Sequence, residues 1–243
     1  MTIPYNFDIL GLMVQKKDCP AENSPIACQT CGMREESLLC STIEALPLID
    51  QAKVMCRYKA GQTIFYADND PLGIFTITKG LIKLEVVSPS GSAHTLRMVG
   101  PGGALGYRSL FSGEPYHASA IAMEDVELCF IPKAAVMNIF KQDPALAMKL
   151  LSHVSKDLRL AEEKWLDQMD KGASERIAEA LLFLQDHFTH QGWTRREIAQ
   201  WAGTTPETVI RTLAQFEKEG FIDQSDGRSI RILNRDKLRE FQK

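Results

Sequence analysis

The feature that most constrains this fold is a switch of hydrophobic period near residue 133. From about Cys56 to Pro132 the apolar residues come in short alternating runs. Ile64-Phe-Tyr, Leu72-Gly-Ile-Phe-Thr-Ile and Leu81-Ile-Lys-Leu-Glu-Val-Val are three of them, parted by Gly, Pro, Asn and Asp. Alternation at period two sends successive side chains to opposite faces. These runs therefore read as strands, and their spacing predicts a small antiparallel barrel or roll. Ser88-Pro-Ser-Gly91 reads as a hairpin turn within it. Beyond residue 133 the period turns helical. Ala147, Leu151, Val154, Leu158, Ala161 and Trp165 recur at alternating spacings of 4 and 3, an a/d seam. A chain with this switch is α+β.

The seam leaves two placements open. It can pack a long helix on its own barrel, or pair with a second copy as a parallel dimerisation helix. Lys156, Arg159, Glu162, Glu163 and Lys164 wet the other faces in this reading, which favours the dimer. Leu151, Val154, Leu158, Ala161 and Trp165 would then line the contact. Four segments follow: a cysteine-rich start (1–50), a β-roll (51–143), the dimerisation helix (144–170) and a C-terminal domain (171–243). Lys171-Gly-Ala-Ser174 is a natural hinge, and Ser174 is a candidate cap for the next helix.

The C-terminal domain announces itself by its caps. Thr194 and Glu197 have capping-box spacing, and Gly203 is a fitting stop for the helix between them. Thr205 is a good N-cap, Pro206 suits the first helical position, and Gly220 ends a second helix. Two short helices joined by a tight turn make a helix-turn-helix. Val209, Leu213 and Phe216 should point inward, leaving Pro206, Glu207, Ile210 and Arg211 on another face near the N-terminal end. That end of a recognition helix enters the major groove. There Arg donates two bonds to guanine, Glu accepts from cytosine, and an aliphatic side chain touches a thymine methyl. Phe221 to Leu233 reads as a hairpin around Asp226-Gly227, a wing whose Arg228 and Arg231 can touch phosphate. Thr194 and Arg195 complete the expected DNA-facing set with Thr205.

Net charge is only -3, so DNA binding cannot rest on bulk charge. Residues 171–243 hold 12 Lys/Arg and 11 Asp/Glu, a local surplus of one positive charge. No apolar run approaches the ~18 residues of a membrane helix. The start, MTIPYNFDIL, lacks the basic and apolar blocks of an export signal. A cytoplasmic protein away from membranes is expected, with reduced thiols. There is no Walker-type loop, no dinucleotide glycine fingerprint and no nucleophile–base motif, so an enzyme is not expected.

Cys28, Cys31 and Cys40 lie close together ahead of the first regular core, and such sulfurs invite a metal with a fourth ligand. In Glu124-Asp-Val-Glu-Leu-Cys-Phe-Ile-Pro132, Val126, Leu128 and Phe130 share one strand face while Cys129 points the other way. Cys56 shares a face with Val54 and Tyr58 and reads as a small buried hydrophobe.

The whole order resembles the CRP/FNR family of bacterial transcription regulators. Lys59-Ala-Gly-Gln-Thr-Ile-Phe65 and Ile77-Thr-Lys-Gly-Leu-Ile-Lys83 look like that family's β-roll signature, and Glu207-Thr-Val-Ile-Arg211 like its recognition helix. The resemblance implies a cyclic-nucleotide-binding-like antiparallel β-roll, a long dimerisation helix and a C-terminal winged helix-turn-helix. It implies a homodimer on double-stranded DNA with a twofold site, and contacts to RNA polymerase. Glu207 and Arg211 match the positions that read a TGA core. Ile210 stands where FNR-type readers carry Ser, and Pro206 where CRP-type readers carry Arg.

For the signal, the resemblance to FNR-type oxygen sensors implies a [4Fe-4S] cluster on Cys28, Cys31, Cys40 and Cys129, with Cys19 as a substitute ligand. Soft thiolates select iron–sulfur or zinc, so structural zinc or free thiols remain open. A cyclic nucleotide is disfavoured. Ala104 stands where nucleotide-binding relatives carry Glu, and His117 where they carry Arg. Another effector, haem included, is a further alternative, with His94, His117 and His153 each standing alone.

Overall fold

The computed structural model describes residues 27–40, 45–188, 192–224 and 229–241. Cys19, Asp226, Gly227 and Arg228 lie outside the described residues. The chain divides into two compact units: Met1–Val86 with Arg97–Lys156, and Val87–Leu96 with Asp157–Lys243.

The first unit opens with a 3-10 turn, Cys28–Thr30, and α1, Leu46–Ala52. Strands β1 (Val54–Tyr58), β2 (Thr63–Phe65), β3 (Gly73–Lys79), β4 (Ile82–Val87), β5 (Ala93–Val99) and β6 (Ala104–Leu105) follow. After α2 (Tyr107–Ser112) come β7 (Ser119–Ala122), β8 (Val126–Pro132), α3 (Lys133–Gln142) and α4 (Ala145–Asp170). Two four-stranded sheets result, ordered β1-β8-β3-β6 and β2-β7-β4-β5. The strand pairs of β8 with β1 and β3, and of β7 with β2 and β4, are antiparallel. This is the expected roll. Gly80 makes the β3–β4 turn at φ +89, where a Cβ would stand 2.6 Å from the Asp125 carbonyl oxygen, so only glycine fits.

The roll has two cores, one on each side of the first sheet. Val126, Leu128 and Phe130 enter the interior with Phe65, Phe75 and Tyr116. The Phe65 and Tyr116 rings stack at 3.9 Å. On the other side Ile74 and Ile131 meet Leu39 and Cys40, Ile49 of α1, and Val136 and Ile139 of α3. Burying each such aliphatic side chain stabilises the fold by about 1.5–3 kcal/mol. Cys56 is fully buried, as the alternation predicts.

Helix α4 is 26 residues long, roughly 39 Å. Its seam does not pack on its own chain. Leu151, Leu158 and Trp165 are 58%, 59% and 64% exposed, and Val154 and Ala161 are exposed as well. Lys164, expected on a wetted face, is instead half-buried.

The second unit continues through α5 (Ala173–His187), α6 (Arg195–Ala202), α7 (Pro206–Lys218), β9 (Ile222–Asp223), β10 (Arg231–Ile232) and α8 (Arg235–Glu240). Ile177, Leu181, Leu184, Ile198, Val209 and Phe216 are buried. Strands β9 and β10 pair antiparallel, the base of the expected wing. Ser174 does not cap α5. Gly172 is its N-cap, with Glu175 accepting the Gly172 N–H at 2.5 Å, while Ser174 Oγ lies 3.3 Å from Thr212 Oγ1.

Candidate nucleic-acid interface and thiol cluster

Local chemistry builds the reading helix. Thr194 Oγ1 accepts from the Glu197 N–H at 3.1 Å and Glu197 accepts back from the Thr194 N–H at 2.8 Å, closing the capping box that starts α6. Gly203 ends α6 at φ +64. Two residues on, Thr205 Oγ1 accepts the Thr208 N–H at 3.3 Å and Pro206 takes the first position of α7. Val209, Thr212, Leu213 and Phe216 form the buried face. Glu207, Ile210 and Arg211 stand exposed, Ile210 to 57%. An isolated aliphatic side chain that open, flanked by an acid and a guanidinium, has the makings of a base-reading surface. The Glu207 carboxyl is held below the usual carboxylate range, first by its own backbone N–H and then by the Thr205 hydroxyl.

The other expected DNA-facing residues divide. Thr194 spends its hydroxyl on the cap. Arg195 is half-buried and donates to Gln224 Oε1 at 2.5 Å, at the foot of the wing. Gln224 is held in turn by Glu217, which accepts its N–H at 2.9 Å. Arg196, next in sequence, is exposed. The turn itself is braced. Gln168 Nε2 donates to the Ala202 carbonyl at 3.3 Å, and Arg176 donates to Ala202 at 3.0 Å and to Gly203 at 3.4 Å. None of these braces has a local sequence signal.

The four expected thiols are all free. Cys28 and Cys40 are buried in the same core and hydrogen-bond to each other. Cys28 donates, so its own pKa rises, first through that bond and then through burial. The same bond is the main cause holding Cys40 down to about 7. Cys129 is half-buried on the face it shares with Ile131, the face that carries Leu39 and Cys40. Burial pushes its thiol up to about 11, and it feels the charges of Lys53, Cys40 and Cys31. Its sulfur lies 3.1 Å from Met55 Sδ. Beside it across the ladder is Thr76, whose buried hydroxyl has no hydrogen-bond partner.

Lys53 and Asp50 carry no motif that marks them in the sequence. The Lys53 ammonium stands 3.3 Å from Cys28 Sγ and 2.6 Å from Asp50, and Asp50 accepts the Cys28 N–H at 2.9 Å. The Asp50–Lys53 spacing on one helical turn is a weak signal that only the fold connects to sulfur.

The donor set suits a soft metal centre in kind, and the partnerless Thr76 hydroxyl lies across the ladder from Cys129. In arrangement it is incomplete. Among the described residues no three His, Cys, Asp or Glu side chains converge on one point, so Cys28, Cys31, Cys40 and Cys129 are not a closed ligand set here. The 27–40 segment brings Cys28 and Cys40 together and leaves Cys31 and Cys129 apart from them.

For a cyclic nucleotide, the relevant positions hold no charge-bearing partner of the implied kind. Ala104 is buried in β6 against Thr76, and His117 is exposed. No described helix is long and apolar enough to cross a membrane.

Comparison with known proteins agrees with this architecture. The cyclic nucleotide-binding domain family matches residues 55–143, and the Crp-like helix-turn-helix domain family matches residues 175–241. The fumarate and nitrate reduction regulatory protein of Escherichia coli is 28% identical over 228 residues, covering 88% of this chain and 89% of that protein. The CRP-like cAMP-activated global transcriptional regulator of Mycobacterium tuberculosis is 27% identical over 190 residues, covering 74% and 84%. A crystal structure of a CRP/FNR-family transcriptional regulator from Thermus thermophilus is 30% identical, with a TM-score of 0.66. The match covers 77% of this chain and 97% of that one. This chain therefore belongs to the CRP/FNR family and is a DNA-binding transcription regulator, not an enzyme.

Proposed function

We propose that this regulator is a homodimer that reads a twofold, TGA-core DNA site and answers oxygen or redox state through a [4Fe-4S] cluster on Cys28, Cys31, Cys40 and Cys129. One observation carries the sensing half: Cys28 and Cys40 are free thiols buried in the core that Ile131 enters from β8, and the free thiol of Cys129 shares that strand face. The larger share of the chain matched by the fumarate and nitrate reduction regulator than by the cAMP-activated one supports the same reading.

Bound there, a [4Fe-4S] cluster supplies an oxygen-labile, redox-active tie between segment and strand. Cys31 and Cys129 must close on the Cys28–Cys40 pair to complete the set. Lys53 offsets the negative charge of the thiolates. A fastened 27–40 segment steadies the core that α3 shares with it. The exposed seam of α4 then meets a second copy, and two α7 helices are presented about one DNA turn apart, ~34 Å. Shifting a population from mostly off to mostly on takes about 5.5 kcal/mol of differential binding, which sulfur ligation in one state alone can supply. The bound dimer would act on RNA polymerase.

Protein prepared without air and reconstituted with iron and sulfide should hold both, absorb in the visible, and bind a TGA-core palindrome at least tenfold tighter than the metal-free form. The Cys129→Ala variant should lose the absorption and the gain in affinity. Iron-loaded protein that binds DNA no better than metal-free protein would sink the sensing mechanism. A second reading is favoured by the incomplete ligand set. In it the thiols hold zinc or no metal, and another effector governs the same DNA-reading surface. Tight binding of zinc without any hold on iron and sulfide would select it.

A further inference from the structure

Lys164 sits on α4 among residues that face water, yet it is half-buried. Its ammonium donates to the Thr95 carbonyl at 3.3 Å and to the Leu96 carbonyl at 3.5 Å. It also lies 3.8 Å from the centroid of the Trp201 ring, on α6. That indole is in turn stacked on Phe183 of α5, with ring centroids 5.0 Å apart and planes within 13°. A half-buried ammonium must recover its lost hydration, and two carbonyl oxygens and an aromatic face do so. The carbonyls come from β5, the edge strand of its sheet, which has a neighbour on one side only.

One side chain thus touches three elements: α4, the tip of the β4–β5 hairpin and the first helix of the reader. The tip, Val87–Leu96, belongs to the same compact unit as the reader, although β5 runs on to Val99 in the roll. One turn along α4, Gln168 holds the Ala202 carbonyl, at the end of α6 that leads into the turn before α7. Movement of β5 therefore changes the acceptors of a residue that also grips α6.

We propose that Lys164 is a positioning residue: it latches the β4–β5 hairpin tip to Trp201, so that order in the hairpin and engagement of the reading helix with DNA are coupled. The latch acts whatever signal the roll receives.

Hydrogen exchange of the full-length protein, followed in a peptide spanning residues 87–97 with and without a duplex bearing the TGA-core palindrome, tests this. In wild type, duplex should slow exchange in that peptide at least threefold. Lys164→Met should quicken its exchange about tenfold without DNA and abolish the response to duplex. Trp201→Leu should do the same by removing the other end of the latch, and the double variant should add nothing further. Gel mobility of the same samples confirms that duplex is bound, and unchanged exchange in β7 and β8 confirms that each variant is folded. Wild-type exchange rates in Lys164→Met, a retained response to duplex, additive effects in the double variant, or no response in bound wild type would each overturn the proposal.

Discussion

Arg211 and Glu207 are exposed on α7, and nothing in the buried face depends on them. Replacing Arg211 by Met should weaken binding to a TGA-core duplex ten- to a hundredfold, about 1–3 kcal/mol, at fixed salt. The melting temperature should stay within about 1 °C. Fluorescence anisotropy and a thermal melt measure the two. Gly203 is the opposite kind of residue. It sits at φ +64 with a Gln168 amide 2.8 Å from where a Cβ would lie. Gly203→Ala should cost about 1–2 kcal/mol of stability in a denaturant titration, with DNA affinity falling as the turn shifts.

Lys164 carries a pH signature at this same scale. Burial is the main influence on its pKa and holds it down to about 8, against 10.5 for an open lysine, with Glu179 opposing. Between those values the unfolded chain binds more protons than the folded one, so this group raises stability as pH climbs through the window. Relative to Lys164→Met, wild type should gain on the order of 1–3 kcal/mol between pH 8 and 10.5, and little below pH 8. Parallel denaturant titrations of the two proteins across that range check the sign.

Among elements, α4 carries the clearest unspent surface. Leu151, Leu158 and Trp165 form an apolar stripe open to water. Leu158→Glu should leave the melt of each protomer nearly unchanged, because the side chain is 59% exposed. It should also turn a dimer into a monomer by sedimentation and lower DNA affinity at least tenfold. The α6–α7 pair was legible in the sequence because its signals are local. Thr194, Glu197, Gly203, Thr205 and Pro206 each act within one turn of their own position. The β-strand alternation that set Cys129 apart from Leu128 and Phe130 was legible for the same reason. Ser174 was misleading: Ser favours a cap, but Gly172 and Glu175 take that role and leave the hydroxyl to Thr212. Lys164 could not be read at all. Charge on a helix face predicts water, and only a hairpin nearly seventy residues earlier and a helix nearly forty residues later reverse that.

For the whole molecule, the switch of period was enough to foresee a roll and a long helix, since both follow from where side chains repeat, while the reader followed from its caps. The thiols were harder. Their chemistry was legible as a soft donor set, but that Cys28 and Cys40 share a core while the four do not form a closed set depends on tertiary packing, and no spacing rule gives that. A chain of net charge -3 must grip DNA through a local surface. Its affinity should therefore fall steeply between 50 and 200 mM salt, roughly as the number of phosphates neutralised, and Arg231→Ala should flatten that slope by about one unit. A slope that Arg231→Ala leaves unchanged would remove the foot of the wing from the contact surface. Leu39 is wholly enclosed, and its neighbour Cys40 lies in the same packed interior as Ile131 and Ile139. Injury to that sulfur pulls on a cornerstone rather than on ornament. Such a protein should register chemical attack as abrupt loosening, and so answer its surroundings by toggling rather than by degrees.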